Sequence, residues 1–433
     1  MTKERIDAYI DGKIQEMIKE ILHLVSFPSI TGNKEQNKAC LEYFLNLAQT
    51  LGFRTMTTSD WDVGIVEMGE GDETLGILVH VDVVGIGDRE KWTHDPFEGI
   101  VRDGYLWGRG TEDDKGAVIM SLFAMKAVQQ LGLPLHRKVW LIVGTSEEAK
   151  WTDIESFKKE YPIPCCGFSP DGRFPIFNIE KGYADIVLDF YRDGKKGIQK
   201  LRSGDSPNTI PSKARIVLQD GLSVVVHGKS THSSLPKEGD NAILKLCKKL
   251  HGIEGVDFDF VRFVRKYLSS DGLTDLHLDD GSAIYEDEYV GRTTLAPTIL
   301  SLTDNSVRLT INIRHKYGTT REDIQHVFAA HAEEYGYEVG IIEYLEPMWV
   351  SKGLPFLKVL KEVSEEYGMD SRFEFAPGTS YAKSMKNFVS WGPVFPNDPS
   401  MAHIEDENIS IETILLATKL YARLISRMTV DEI

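Results

Sequence analysis

The sequence predicts a two-domain α/β protein: one domain built on a mostly parallel central sheet, and an inserted α+β unit that interrupts it. Three observations carry this. The 433-residue chain exceeds what one hydrophobic core usually organises. Up to Gly172, strand-like apolar runs alternate with amphipathic helical ones, the pattern of a parallel sheet layered with helices. From Tyr183 the texture turns to alternating strands of hairpin type, and the helical pattern returns at Gly353. The expected domains are therefore residues 1–182 with 351–433, and residues 183–350.

Ile6, Ile10, Ile14, Met17, Ile18, Ile21 and Val25 recur at helical spacing and open the chain on an amphipathic helix, ended by Ser26-Phe27-Pro28-Ser29. A second helix is expected over 34–51, closing near Gly52. A strand over 75–84, a helix over 116–131 and strands over 138–144 and 163–168 follow. Residues beyond the carboxyl ends of such strands are where sites gather in α/β sheets. In the insert, 184–190, 214–218, 222–226 and 307–313 read as strands, with helices over 241–250 and 321–335. Phe356, Leu357, Leu360, Val363 and Tyr367 mark a returning helix. Ser410 caps a last one whose face is Ile414, Leu415, Ala417, Leu420, Leu424 and Ile425.

Composition excludes several classes. A formal net charge of -17 argues against binding a phosphate backbone, so no nucleic-acid partner is expected. No window reaches the apolar length of a membrane span, and the N-terminus lacks an apolar signal core. Four cysteines, Cys40, Cys165, Cys166 and Cys247, show neither disulfide-scaffold density nor zinc-ribbon spacing, which points to a reducing cytoplasm. The vicinal pair Cys165-Cys166 reads as small buried residues on a strand rather than as a redox device.

The chemistry-bearing residues are histidines and carboxylates near predicted strand ends. His80 and Asp82, two apart on the predicted strand, leave the same face, so a carboxylate there can hold the second nitrogen of a metal-bound imidazole. Asp113 lies in a Gly-rich loop before a helix. A carboxylate there can bridge two cations roughly 3.5–4 Å apart. It can also be an ordinary acidic N-cap, although three consecutive acids, Glu112, Asp113 and Asp114, exceed what capping requires. Glu147 and Glu148 follow a very apolar strand, and as neighbours on a strand they would face opposite sides, one toward a metal and one toward substrate. Two buried carboxylates repel each other unless cations or protons intervene. Taken alone, Asp171 in Ser-Pro-Asp-Gly is an ordinary turn residue and His403 an ordinary loop histidine.

With these residues in order, the chain resembles the PepV-type dipeptidases. They belong to the metallohydrolase superfamily that includes aminoacylases, carboxypeptidase G and succinyl-diaminopimelate desuccinylases. The resemblance runs along nearly the whole chain through His80-Val-Asp82, Trp92 to Phe97, Gly108 to Gly116, Gly144 to Glu148, Phe168 to Asp171, Asn208, His227 to His232, Asn312 to Arg314, Gly378 to Ala382, and Ala402-His403. It implies a zinc-exopeptidase-like catalytic domain with an inserted lid domain, and two divalent ions per chain. One ion would be held by His80, Asp171 and bridging Asp113, the other by Asp113, Glu148 and His403, with Asp82 orienting His80. Glu147 would act as general base on the attacking water and return the proton to the leaving amine. His232 and Asn208 match positions that polarise the scissile carbonyl and stabilise the oxyanion. Arg314 matches the clamp for a free substrate carboxylate, and Gly378 and Ser380 lie in the loop beside it.

Zn²⁺ suits imidazole and carboxylate ligands, and Mn²⁺ and Co²⁺ are also compatible. The activity implied is hydrolysis of dipeptides with a free C-terminal carboxylate. The alternatives are deacylation of N-acyl amino acids by the same centre, and a catalytically silent metal-binding protein. The chain departs from the family pattern at Ser146, at Ala149-Lys150, in the glycine-poor Ala376-Pro377-Gly378-Thr379-Ser380 loop and at Lys383. These bear on substrate preference rather than on the ligands. The enlarged insert resembles those that mimic a partner subunit, so a monomer is expected, with a dimer through a sheet edge as the competing outcome. Hinges are expected near Gly182 and Ser351-Lys352-Gly353.

Overall fold

The computed structural model describes residues 2–269, 276–278 and 282–430. It divides into two compact units: Met1–Asn178, Val350–Glu374 and Ser380–Ile433 form one, and Ile179–Trp349 with Phe375–Thr379 form the other. The breaks fall slightly earlier than the sequence places them, and the short return of 375–379 to the second unit has no counterpart in the sequence reading.

In the first unit, the strands lie in the spatial order Arg54–Thr57, Val63–Met68, Lys138–Gly144, Thr74–His80, Cys166–Ser169, Phe388–Trp391 and Ile176–Glu180. The four central ones are parallel, and the flanking pairs are antiparallel. Leu75, Ile77, Leu78, Val79, Val139, Leu141, Ile142 and Val143 are fully buried, as a sheet covered on both faces demands. His80 pairs with Gly144 at the end of the ladder. The loops leaving the carboxyl ends of Thr74–His80, Lys138–Gly144 and Cys166–Ser169 therefore start from one edge of the sheet.

Three helices matter most to this layer. Thr2–Val25 buries Ile6, Ile10, Met17, Ile18, Ile21, Leu24 and Val25, the predicted face except that Ile14 is only half-buried and Leu24 joins it. Lys115–Gln129 is buried almost all round. Ile411–Thr429 is capped by Ser410, whose hydroxyl accepts from the Thr413 N–H at 2.9 Å. Among the described residues, no helix is long and apolar enough to cross a membrane.

The second unit carries a seven-stranded antiparallel sheet in the order Ser223–His227, Lys213–Leu218, Ile198–Ser203, Thr294–Leu302, Val307–His315, Gly182–Phe190, Tyr337–Leu345. Ala184, Ile186, Leu188, Ala214, Ile216, Leu309, Ile311 and Ile313 belong to one apolar core with Ile243, Leu246 and Phe260 of the helices. Because side chains alternate along a strand, Asp185, Asn312 and Arg314 share the opposite face.

Several elements differ from the sequence reading, for physical reasons. The strand expected over 75–84 ends at His80, because the Val83 N–H bonds the Ser29 carbonyl and the chain peels away to pair with Ile30. The strand expected over 163–168 starts only at Cys166, after Pro162 and Pro164, which have no N–H to donate. The helix expected over 321–335 is broken into Arg321–Ala329 and Ala332–Tyr335. Cys165 is exposed while Cys166 is buried, so the pair is not uniformly interior. Val63–Met68, Ile198–Ser203, Thr294–Leu302, Tyr337–Leu345 and Phe388–Trp391 are strands the sequence reading does not contain.

Candidate metal centre

His80 is the last residue of its strand and fully buried. Its Nδ1 lies 2.9 Å from the Asp82 main-chain oxygen and 3.4 Å from Asp82 Oδ1. Donation from Nδ1 leaves Nε2 free as a ligand atom. Nε2 faces Asp113 Oδ1 at 3.1 Å and Asp171 Oδ1 at 3.9 Å. The other Asp113 oxygen, Oδ2, lies 3.0 Å from His403 Nε2, which is itself 2.9 Å from Glu148 Oε1. Asp113 thus presents one oxygen to each histidine.

Asp82, beyond the strand rather than on it, uses its carboxylate mainly on the neighbouring loop. Oδ1 accepts from the Glu147 N–H at 3.1 Å, and Oδ2 accepts from the Thr31 hydroxyl at 2.7 Å and the Glu148 N–H at 3.4 Å. Glu147 and Glu148 are not strand neighbours on opposite faces. Their strand stops at Gly144 and both sit in the following turn, so each joins a different ligand group. His80, Glu147 and Asp171 form one set of potential ligands, and Asp113, Glu148 and His403 the other; within each set the ligand atoms lie within 4.8 Å of one another.

The electrostatics of this cluster call for cations. Burial, then the neighbouring Asp171 charge, pushes the Glu147 carboxyl well above its ordinary range. Burial and Asp113 raise Glu148 to about 7. Burial and the same Asp113 charge raise Asp171. Asp113 itself is lowered, because His403 and His80 outweigh its burial. His403 is raised to about 11 by bonding to Asp113 and Glu148. His80 Nε2 and Asp113 Oδ1 are buried without a hydrogen-bond partner. Four carboxylates and two imidazoles converging without a thiolate, with His80 Nε2 and Asp113 Oδ1 left unpartnered, fit a pair of divalent ions.

Around the ligands is a shell that sequence reasoning missed. Asp114, not Asp113, stands at the helix N-cap position, makes no side-chain capping bond, and is joined to Asp113 by a cis peptide. Its Oδ2 accepts from the His80 N–H at 3.2 Å. Asp153 Oδ2 accepts from the Thr145 and Ser146 N–H groups at 2.8 and 2.9 Å and from the Tyr381 hydroxyl at 2.5 Å. A Cβ on Gly144 would collide with both Tyr381 and Asp153, so only glycine fits there. Glu112 and Glu407 hold the backbone of the ligand loops. The acidic runs 112–114 and 405–407 are the signals that could have flagged these two; Asp153 has none.

The residues expected to meet substrate lie in the second unit, except Ser380, which is in the first. Asn208 and His232 are drawn together by a two-residue ladder in which Thr209 opposes His232, and the Ser233 N–H bonds the Asn208 carbonyl at 2.8 Å. His232 Nδ1 lies 2.6 Å from the Ser234 hydroxyl. The Ser233 hydroxyl donates to Asn312 Oδ1 at 2.7 Å, which also accepts from Arg314 Nε at 3.4 Å. Asn312 Nδ2 donates in turn to Asp185. One amide therefore ties the His232 segment to Arg314. The Arg314 guanidinium is buried, lies over the Tyr183 ring at 4.6 Å and donates to Thr379 at 3.4 Å. Gly378, beside Thr379, has open space where a Cβ would stand.

Comparison with known proteins bears on the family and the fold. YtjP of Bacillus subtilis (strain 168), provisionally named a dipeptidase, is 33% identical over 425 residues, covering 89% of each chain. Human carnosine dipeptidase 1 has a similar fold, with a TM-score of 0.63 at 15% identity over 98% of this chain and 99% of that one. Aminoacylhistidine dipeptidase of Vibrio alginolyticus matches with a TM-score of 0.64 at 14% identity over 94% and 95%. The family model described as peptidase family M20/M25/M40 matches residues 76–427, and the chain, a metallopeptidase, belongs to that family.

Proposed function

We propose that this metallopeptidase is a dipeptidase acting on short peptides with a free C-terminal carboxylate. The observation that carries the reading is Asp113, whose two oxygens face His80 and His403 separately at 3.1 and 3.0 Å. That arrangement suits a carboxylate shared between two cation positions.

Held by His80 and Asp171 on one side, Glu148 and His403 on the other, and Asp113 between them, two divalent ions would supply Lewis acidity and make a water acidic at neutral pH. Zn²⁺ is the first choice, with Mn²⁺ and Co²⁺ equally compatible in ligand type. Glu147 takes the proton of the attacking water and delivers it to the departing amine. Its backbone is fixed by Asp82, so the base and the His80 side of the centre share one anchor. Asn208 and His232 polarise the scissile carbonyl. Arg314 clamps the substrate carboxylate, a planar fork suited to a bidentate partner, while Gly378 and Ser380 line that end. The enlarged insert favours a monomer, and four cysteines, all free, favour a reducing cytoplasm.

The test is a panel of dipeptides and N-acetylated amino acids given to metal-stripped protein, with Zn²⁺, Mn²⁺ or Co²⁺ added back, beside Glu147→Ala. Metal-dependent cleavage of dipeptides, reduced about 10²–10⁴-fold in the variant, is expected. Turnover confined to the acylated compounds would move the enzyme to the deacylases. Absence of turnover on either would return it to a metal-binding role.

A further inference from the structure

The loop carrying Asp113 and the loop carrying His403 grip each other through two carboxylates that are not ligand candidates. Glu112 reaches out of the first loop: both its oxygens lie 3.0 Å from the Met401 N–H, and Oε1 also accepts from the Ala402 N–H at 3.1 Å. Glu407 reaches back from the second. Its Oε1 accepts from the N–H groups of Gly110, Glu112 and Asp113 at 3.0, 2.9 and 3.1 Å, and its Oε2 takes the Arg109 guanidinium at 2.7 Å. Arg109 and both glutamates are buried, and neither glutamate belongs to a metal-capable group.

The two cation positions are built differently. His80 terminates a central strand and Asp171 follows closely on another, so the first position inherits the rigidity of the sheet. His403 sits on a loop with a φ of 66° and a side chain 54% exposed. Its neighbours Met401 and Ala402 are held by Glu112.

We infer that Glu112 and Glu407 are positioning residues, a reciprocal clasp that builds the cation position bounded by Asp113, Glu148 and His403, and that this position empties first when the clasp is opened. The inference rests on the two-cation reading above. A glutamate that merely supported the fold would weaken both positions together, or neither. Opening the Glu112 half makes the loss selective, because His80 and Asp171 do not depend on the 401–402 segment and Glu407 still holds the N–H of Asp113, which both positions share.

The experiment dialyses full-length wild type, Glu112→Ala and Glu112→Gln against a buffered Co²⁺ series. It reads bound cobalt per chain by atomic emission and the visible ligand-field spectrum of each ion. Wild type is expected to bind two ions. Glu112→Ala should keep the first at unchanged free Co²⁺ and need about 10–100-fold more for the second. Glu112→Gln, which keeps one acceptor oxygen for the loop, should fall between them. Both ions bound with wild-type affinity in Glu112→Ala, or both weakened in parallel, would overturn the clasp. Should Glu112→Ala fail to fold, Glu112→Gln carries the same criterion, its second ion weakening relative to its first. Wild type binding fewer than two ions would instead overturn the two-cation reading.

Discussion

The two units prepare different chemistry with different materials. In the first, the candidate ligands come from widely separated stretches of chain, and the carboxyls of Glu147, Glu148 and Asp171 are raised by burial and by neighbouring carboxylates, while the two histidines lower Asp113. In the second, Asn208, His232 and Arg314 are organised by hydrogen bonds through Ser233 and Asn312, the last of them donated by the buried Arg314 guanidinium. Among the described residues, metal-capable groups of three occur only in the first unit. The contrast teaches a division of materials: the first unit gathers buried carboxyls whose charge cations or protons must balance, and the second gathers a buried guanidinium and hydrogen-bonding dipoles.

The largest expected effect breaks the first half of that contrast. Asp113→Asn removes the negative charge presented to His80 and His403, and should lower kcat/KM by about 10⁴-fold or more. Metal analysis of the same variant should find less than the wild-type content, and an unchanged content would separate Asp113 from the ions. The second half is sharpened by Arg314→Lys. Replacing the fork with a point charge should raise KM about 10–100-fold, the worth of a charge-assisted bond, while metal content stays the same. Dipeptide amides, which lack the carboxylate, should be indifferent to the change, and a matching loss on them would remove Arg314 from the carboxylate. The smallest effect lies outside both sites. Ser410→Ala deletes the cap of Ile411–Thr429 and should cost about 1 kcal/mol in denaturant unfolding.

The contrast also decides what is legible in the sequence. The parallel layer is legible because fully buried strands are nearly continuous apolar runs, as in Lys138–Gly144, whose bounds match the expectation. Central antiparallel strands such as Thr294–Leu302, with Pro297 inside and a register shift beside it, carry a weaker pattern. The ligand candidates stand out because His and acids beside apolar strands are chemically conspicuous. Glu407 and Asp153 do not, because a carboxylate that binds backbone N–H groups leaves no periodicity to read, and Glu407 reaches a loop far back along the chain. The placement of Glu147 and Glu148 is misread for a related reason. Strand alternation does not continue past Gly144, where the N–H groups of Thr145 and Ser146 already turn toward Asp153.

His80 and His403 stand near opposite ends of the chain, with the whole second unit synthesised between them. On the ribosome, the strands beside His80, Glu148 and Asp171 emerge before the second unit, whereas Phe388–Trp391 of the same sheet and the loop of His403 emerge after most of it. Domains generally fold as units, so the first unit, whose chain the second one splits, closes around its acids only after most of its neighbour has been made. A product stopping short of residue 403 lacks a ligand candidate of the second position, so completion of the candidate centre reports that translation has passed that residue.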